Sequence, residues 1–208
     1  FLQEGDLQVI ASKNSSLIWL PTSSQNIFNH QPDISRILDL GIPMALGTDS
    51  STTGATNLLA EMKAALNYSQ NCLNGRLSGK DIVEMATITA ARIFGIEKNQ
   101  GSIAHGKSAD FVVFENVDGS DPFECFINHR PEYFSMVVHK GNMITGNDEF
   151  RKISSVDFSQ YSEVRVNGVT RLLYGRPVQM LERIRHKLGH EIVFPFFNIE
   201  LNDTLMKI

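Results

Sequence analysis

Short apolar runs alternate along this chain with stretches whose apolar residues recur at helical spacing. Leu7 and Ile10 share one face of the stretch from Gly5 to Asn14, which predicts a helix that Asp6 caps and Asn14 stops. Ser16 to Leu20 is a brief apolar run and predicts a buried strand. Pro21-Thr22-Ser23-Ser24 ends it, and a loop is expected onward through Asn26, Asn29 and His30. Asp33 then caps a helix with Ile34, Ile37 and Leu38 on one face and Gly41 beyond its end. Ile42 to Gly47 is a second apolar run bounded by glycines, the pattern of a parallel strand covered on both faces. Helix, strand, helix, strand at this spacing predicts a parallel α/β unit.

More helix follows. Asn57 to Ser69 carries a stripe of Leu58, Leu59, Met62, Ala65 and Leu66. Ser78 caps a helix running through Met85, and Thr87 to Phe94 is a further helical piece closed by Gly95. The character changes at Gly101, and a domain boundary is expected between residues 96 and 101. Phe111 to Phe114 is β-rich, and Phe134 to Thr145 predicts a hairpin turning at Lys140-Gly141-Asn142. Val164 to Thr170 is a second hairpin candidate, turning at Asn167-Gly168. Arg176 to Leu188 predicts a helix with Pro177 in its first turn and Met180, Leu181, Ile184 and Leu188 as its core face. Ile192 to Phe197 is apolar but broken by Pro195, an edge strand or a loop. No repeat or low-complexity segment is present.

Charge and composition narrow the function. The 19 Lys and Arg against 23 Asp and Glu give a net charge of −4, which offers no basic field to a nucleic acid. No apolar run approaches the ~20 residues that cross a bilayer, so no membrane partner is expected. Hydrophobic content of 42% with 20% charged residues is that of a folded globular chain. Cys72 and Cys125 form no close-spaced pair, which predicts reduced thiols in a cytoplasmic protein. The chain begins at Phe1 with no Met, charged n-region or apolar h-region, and is expected to be a piece of a longer protein.

The densest candidate chemistry lies at Asp49-Ser50-Ser51, just past the second strand. An acid at the C-terminal end of a parallel strand sits where α/β barrels carry their chemistry. The same residues also serve as helix caps and turns. Thr22, Ser23 and Ser24 follow the first strand in the same way, as substrate contacts or as an ordinary turn. His186 and His190 are four apart, the spacing of helix-borne metal ligands. Gly189 between them ends the helix, so solvated histidines are expected. Trp19 is expected to be a packing residue.

Taken in order, Leu20-Pro21-Thr22-Ser23, Leu40-Gly41, Ala45-Leu46-Gly47-Thr48-Asp49, Ala86-Thr87, Ala90-Ala91-Arg92-Ile93-Phe94-Gly95, Gly101-Ser102-Ile103 and Gly106-Lys107-Ser108-Ala109-Asp110-Phe111 carry a resemblance. Over roughly residues 1–150 the chain resembles the C-terminal half of the metal-dependent amidohydrolase superfamily. The branch it looks like holds the cytosine, guanine and S-adenosylhomocysteine deaminases and the chlorohydrolases. The resemblance implies an α/β fold: the C-terminal part of a distorted TIM-type β/α barrel, plus the C-terminal part of a small β-sandwich built from both chain ends. Residues 1–98 would be barrel, 99–150 sandwich and 151–208 an unassigned extension. Ser16 to Leu20 and Ile42 to Gly47 would be the seventh and eighth barrel strands.

The resemblance further implies that Asp49 is both a ligand to a divalent metal, Zn or Fe, and the catalytic proton acceptor. Thr22, Ser23, Ser24 and Ser50 would bind substrate or support the site. The family's His-X-His pair and its remaining histidine ligands have no counterpart here. His30, His105, His129, His139, His186 and His190 match none of them. The implied activity is hydrolysis of a non-peptide C–N bond, foremost deamination of an aminopurine or aminopyrimidine, by a homo-oligomer acting on a small molecule. This chain alone is expected to be inactive. A cyclic-amide hydrolase of the dihydroorotase kind, or a non-catalytic assembly module, are the alternatives.

Overall fold

The computed structural model describes residues 2–116, 119–153 and 155–190, and the backbone of residues 199–200. The chain divides into two units. The first holds residues up to 107 together with 119–128; the second holds 108–116 and the described residues from 129 onward.

In the first unit, α1 (Glu4–Ser12) leads to β1 (Leu17–Trp19), α2 (Pro21–Phe28), α3 (Ile34–Asp39) and β2 (Met44–Leu46). Strands β1 and β2 pair in parallel, Leu17 against Met44 and Trp19 against Leu46. All three residues of β2 are buried, as its unbroken apolar run requires. Then come α4 (Leu58–Cys72), α5 (Gly79–Ala86), α6 (Ile88–Ile93) and, after an excursion into the second unit, α7 (Pro122–Asn128). Helices α4, α5 and α6 pack on β2, while α7 packs on α4 and α5. The core contains Leu7, Trp19, Ile34, Ile37, Met44, Met62, Leu66, Ile82 and Ile127. Burying each such side chain contributes about 1.5–3 kcal/mol. Trp19 is a core residue: it meets the Tyr68 ring edge-on at 5.7 Å, and its indole N–H donates to Gln31 Oε1 at 2.8 Å.

Local chemistry accounts for the helix ends. Asp33 Oδ1 accepts from the Arg36 N–H, Asn57 Oδ1 from Ala60 and Ser78 Oγ from Asp81. Each satisfies an amide that lacks a partner in the first turn. Two expectations are corrected here. Helix α1 starts before Asp6, which reaches back to the Gln3 N–H from inside the first turn. The Pro21–Ser24 loop is instead the first turn of α2. Proline at the first helical position has no amide to waste, and its fixed φ suits the helix.

The second unit is a six-stranded sheet of β3 (Phe111–Val113), β4 (Met136–His139), β5 (Asn142–Gly146), β6 (Tyr161–Val166), β7 (Val169–Tyr174) and β8 (Ile199–Glu200), ordered β3-β4-β5-β7-β6-β8. Every pairing is antiparallel. The β4–β5 and β6–β7 turns put Lys140-Gly141 and Asn167-Gly168 at positive φ, the two-residue hairpin geometry that matches strand twist. Phe134, Val138, Met143, Val164 and Leu172 are buried. Arg171 is buried as well, and donates to the Phe134 carbonyl and to Asn147 Oδ1. Helix α8 (Pro177–Leu188) buries Val178 near its start. Its expected core face is corrected at two positions: Leu181 and Ile184 are half-buried, but Met180 is 61% and Leu188 53% exposed. Gly189, at φ +72°, ends the helix. The Ile192–Phe197 expectation lies outside the described residues. No helix among the described residues is long and apolar enough to cross a membrane.

Candidate active site

The candidate site is built where β1 and β2 end. After β2 the backbone passes through Gly47 and Thr48 to Asp49, which adopts φ +54°. This left-handed conformation disfavours most side chains, though aspartate tolerates it better than most. It turns the chain into the 50–54 loop. The Gly54 N–H donates to the Ser50 carbonyl at 2.7 Å. Gly54 lies so close to the Thr48 carbonyl that an added Cβ would sit 1.8 Å from that oxygen.

Asp49 is exposed and its carboxylate is fixed by hydroxyls. Ser23 Oγ donates to Oδ2 at 2.5 Å, and Thr53 Oγ1 donates to the same oxygen at 2.9 Å. The Ser23 hydroxyl chiefly, then Thr53 and the Ser50 backbone, hold the Asp49 carboxyl below the usual aspartate range. Hydrogen bonds to the charged form have that effect. The carboxyl is therefore ionised at neutral pH.

Helix α2 brings Ser23 to this point. Its first turn begins directly after β1, so Thr22, Ser23 and Ser24 stand at the end of the neighbouring strand. Ser23 is buried, while Thr22 and Ser24 are half-buried. Ser50 turns into its own loop: its Oγ lies 2.7 Å from Thr52 Oγ1 and 3.1 Å from Thr53 Oγ1. The structure thus joins Ser23 to Asp49 directly, and links Ser50 to Asp49 through Thr53.

Two residues at this site escape the periodicity of the sequence. Thr53, four residues past Asp49, is one. Glu61 is the other, a fully buried carboxylate on α4. Its Oε2 accepts the Thr22 N–H at 3.0 Å and its Oε1 the Ala55 N–H at 2.9 Å. The available signal was a charged residue falling inside the Leu58–Ala65 apolar face. The histidines play no part in this site. His30, His105, His186 and His190 are exposed. Among the described residues, no group of three or more His, Cys, Asp or Glu could hold a metal ion.

Comparison with known proteins gives the family. The amidohydrolase family model matches residues 2–151. The chain is 28% identical over 141 residues to the imidazolonepropionase of Thermoplasma acidophilum, covering 68% of this chain and 32% of that protein. It is 30% identical over 170 residues to the 5-methylthioadenosine/S-adenosylhomocysteine deaminase of Pyrococcus furiosus, covering 72% of this chain and 39% of that one. An adenosine deaminase from Xanthomonas campestris, solved with bound zinc, shares the fold over 69% of this chain and 35% of its own, with a TM-score of 0.61 at 20% identity. The chain spans about a third of the length of the curated relatives it matches. A parallel strand pair ending on a braced aspartate, inside a family match that covers most of the sequence, leads to one conclusion: this chain belongs to the amidohydrolase family.

Proposed function

We propose that this chain supplies one wall of the active site of a metal-dependent amidohydrolase that hydrolyses a non-peptide C–N bond, deaminating an aminopurine or aminopyrimidine. On this reading β1 and β2 are the seventh and eighth strands of a distorted TIM-type barrel. The six-stranded sheet includes the C-terminal share of a composite β-sandwich. The observation that carries the reading is Asp49 itself: an ionised, hydroxyl-braced carboxylate just past a buried parallel strand.

Asp49 fits a divalent ion as one ligand of a set. Its carboxylate oxygen is a donor that zinc and iron both accept. Among the described residues no group of three or more His, Cys, Asp or Glu could hold an ion, so on this reading the remaining ligands would come from outside them. The zinc of the Xanthomonas campestris relative supports such an ion. Bound there, it supplies the Lewis acidity that makes a water nucleophilic at neutral pH.

This chain's residues would then manage position and protons. Ser23 and Thr53 hold Oδ2, so the Asp49 carboxylate is oriented before substrate arrives. Asp49 takes a proton from the attacking water and passes it to the leaving nitrogen. Water adds at the C–NH2 carbon, the C–N bond breaks, ammonia leaves and a carbonyl remains. Thr22, Ser24 and Ser50 are the candidate hydrogen-bonding groups for the heterocycle. The thiols Cys72 and Cys125, which form no disulfide, fit a reducing cytoplasmic compartment. A homo-oligomer is part of the same reading.

The test is ammonia release by the metal-loaded full-length protein from a panel of aminopurines and aminopyrimidines. Asp49→Asn is expected to lower kcat by about 10²–10⁴-fold with the fold intact. A wild-type protein inert on the whole panel overturns the proposal and favours a non-catalytic module.

A further inference from the structure

We propose that Glu61 is a positioning residue that holds the Asp49 loop and the first turn of α2 as one rigid platform. For its activity readout this rests on the catalytic reading above. Its structural readout does not.

Glu61 lies in the buried face of α4, beside Met62, Ala65 and Leu66, and is fully buried. A carboxylate in such a place is costly unless its oxygens are satisfied. Both are satisfied by backbone amides from two separate segments. Thr22 lies in the first turn of α2, where amides have no helical acceptor, and Ala55 follows the Asp49 loop. The same two segments also meet through Ser23 and Asp49, and through Asn26 Nδ2, which donates to the Thr53 carbonyl at 2.8 Å. Glu61 therefore closes a frame. One edge is α2, another is the 49–55 segment with its left-handed Asp49 backbone, and α4 spans both.

A carboxylate has two acceptor oxygens and no donor, which matches two inward N–H groups. A carboxamide has the same shape but only one acceptor, so Glu61→Gln sets an NH2 against one of the two amides. One tie is lost without creating a cavity. The loop can then shift, and a displacement of about 1 Å in a catalytic group costs about 10²-fold in rate.

The experiment compares Glu61→Gln with Ser69→Ala in the full-length protein. Ser69 is also buried on α4, but its hydroxyl bonds the Leu77 backbone, accepting from the N–H at 2.9 Å and donating to the carbonyl at 2.7 Å. Amide exchange is read first. Glu61→Gln is expected to speed exchange at Thr22 or Ala55 and through residues 50–54, and Ser69→Ala is not. Kinetics are read second, well below either Tm. Glu61→Gln is expected to lower kcat by about 10²-fold with KM little changed, and Ser69→Ala to lower Tm while kcat stays the same. Unchanged exchange at Thr22 and Ala55 in Glu61→Gln overturns the inference, whether or not the protein proves to be a deaminase. Equal kcat in wild type and Glu61→Gln overturns it too.

Discussion

The Ser23 hydroxyl donates to the Asp49 carboxylate at 2.5 Å, although the two residues lie 26 apart in the chain. One stands in the first turn after β1 and the other just past β2. Their meeting follows from the parallel pairing of those strands, which brings both C-terminal ends to the same side.

That bond sets a pH signature. Ser23 is the leading cause that holds the Asp49 carboxyl low. Ser23→Ala is therefore expected to move its pKa up toward the ordinary value of about 3.9, read from the carboxyl carbon by NMR titration. A group depressed in the folded state adds stability above its unfolded pKa and loses it as pH falls through the folded one. The wild-type advantage over Ser23→Ala should thus be full at neutral pH and fade below about pH 3.9.

The Trp19–Gln31 pair offers a double-mutant test. Gln31 accepts the indole N–H at 2.8 Å and donates to the Pro21 carbonyl at 2.7 Å, so it fastens β1 to the start of α2. Trp19→Phe and Gln31→Leu should each cost about 1–3 kcal/mol in urea unfolding followed by circular dichroism. Combined, they should cost less than their sum by about 0.5 kcal/mol or more. Strict additivity would mean the contact is energetically empty.

Gly54 tolerates no side chain. A methyl there would overlap the Thr48 carbonyl at 1.8 Å, and that atom is backbone. Gly54→Ala should destabilise by about 1–3 kcal/mol and move the Asp49 loop. Thermal unfolding measures the first effect, and chemical-shift changes at Asp49 and Thr53 measure the second.

Metal content separates this chain from a complete site. After dialysis against metal-free buffer, the purified 208-residue chain should hold well below one equivalent of zinc or iron by elemental analysis. A stoichiometric, tightly held ion would show that a ligand set other than Asp49 exists within this sequence.

Much of this was legible in the sequence, for physical reasons. Apolar runs bounded by glycine or proline gave β1 and β2, and capping residues at Asp33 and Ser78 marked two helix starts. The two hairpin turns announced themselves as Lys-Gly and Asn-Gly. Helix α2 was hidden because Pro-Thr-Ser-Ser has the composition of a turn and little apolar stripe. Only Pro21 and Ser23 are buried in it, so burial comes from its first turn and not from a face. Helix α8 misled in the opposite direction: it has the stripe, but Met180 and Leu188 face outward. The Ser23–Asp49 bond and the Glu61 clamp were out of reach because both join segments distant in sequence.

The path of the chain through α7 has a consequence for how the protein is made. Residues 119–128 belong to the first unit, yet β3, which precedes them, belongs to the second. Ile127 is completely enclosed in the first unit's core. A chain leaving the ribosome therefore cannot seal that core until it has already delivered β3 of the other unit. The two are interleaved in time as well as in sequence, and no single cleavage of the backbone would part them.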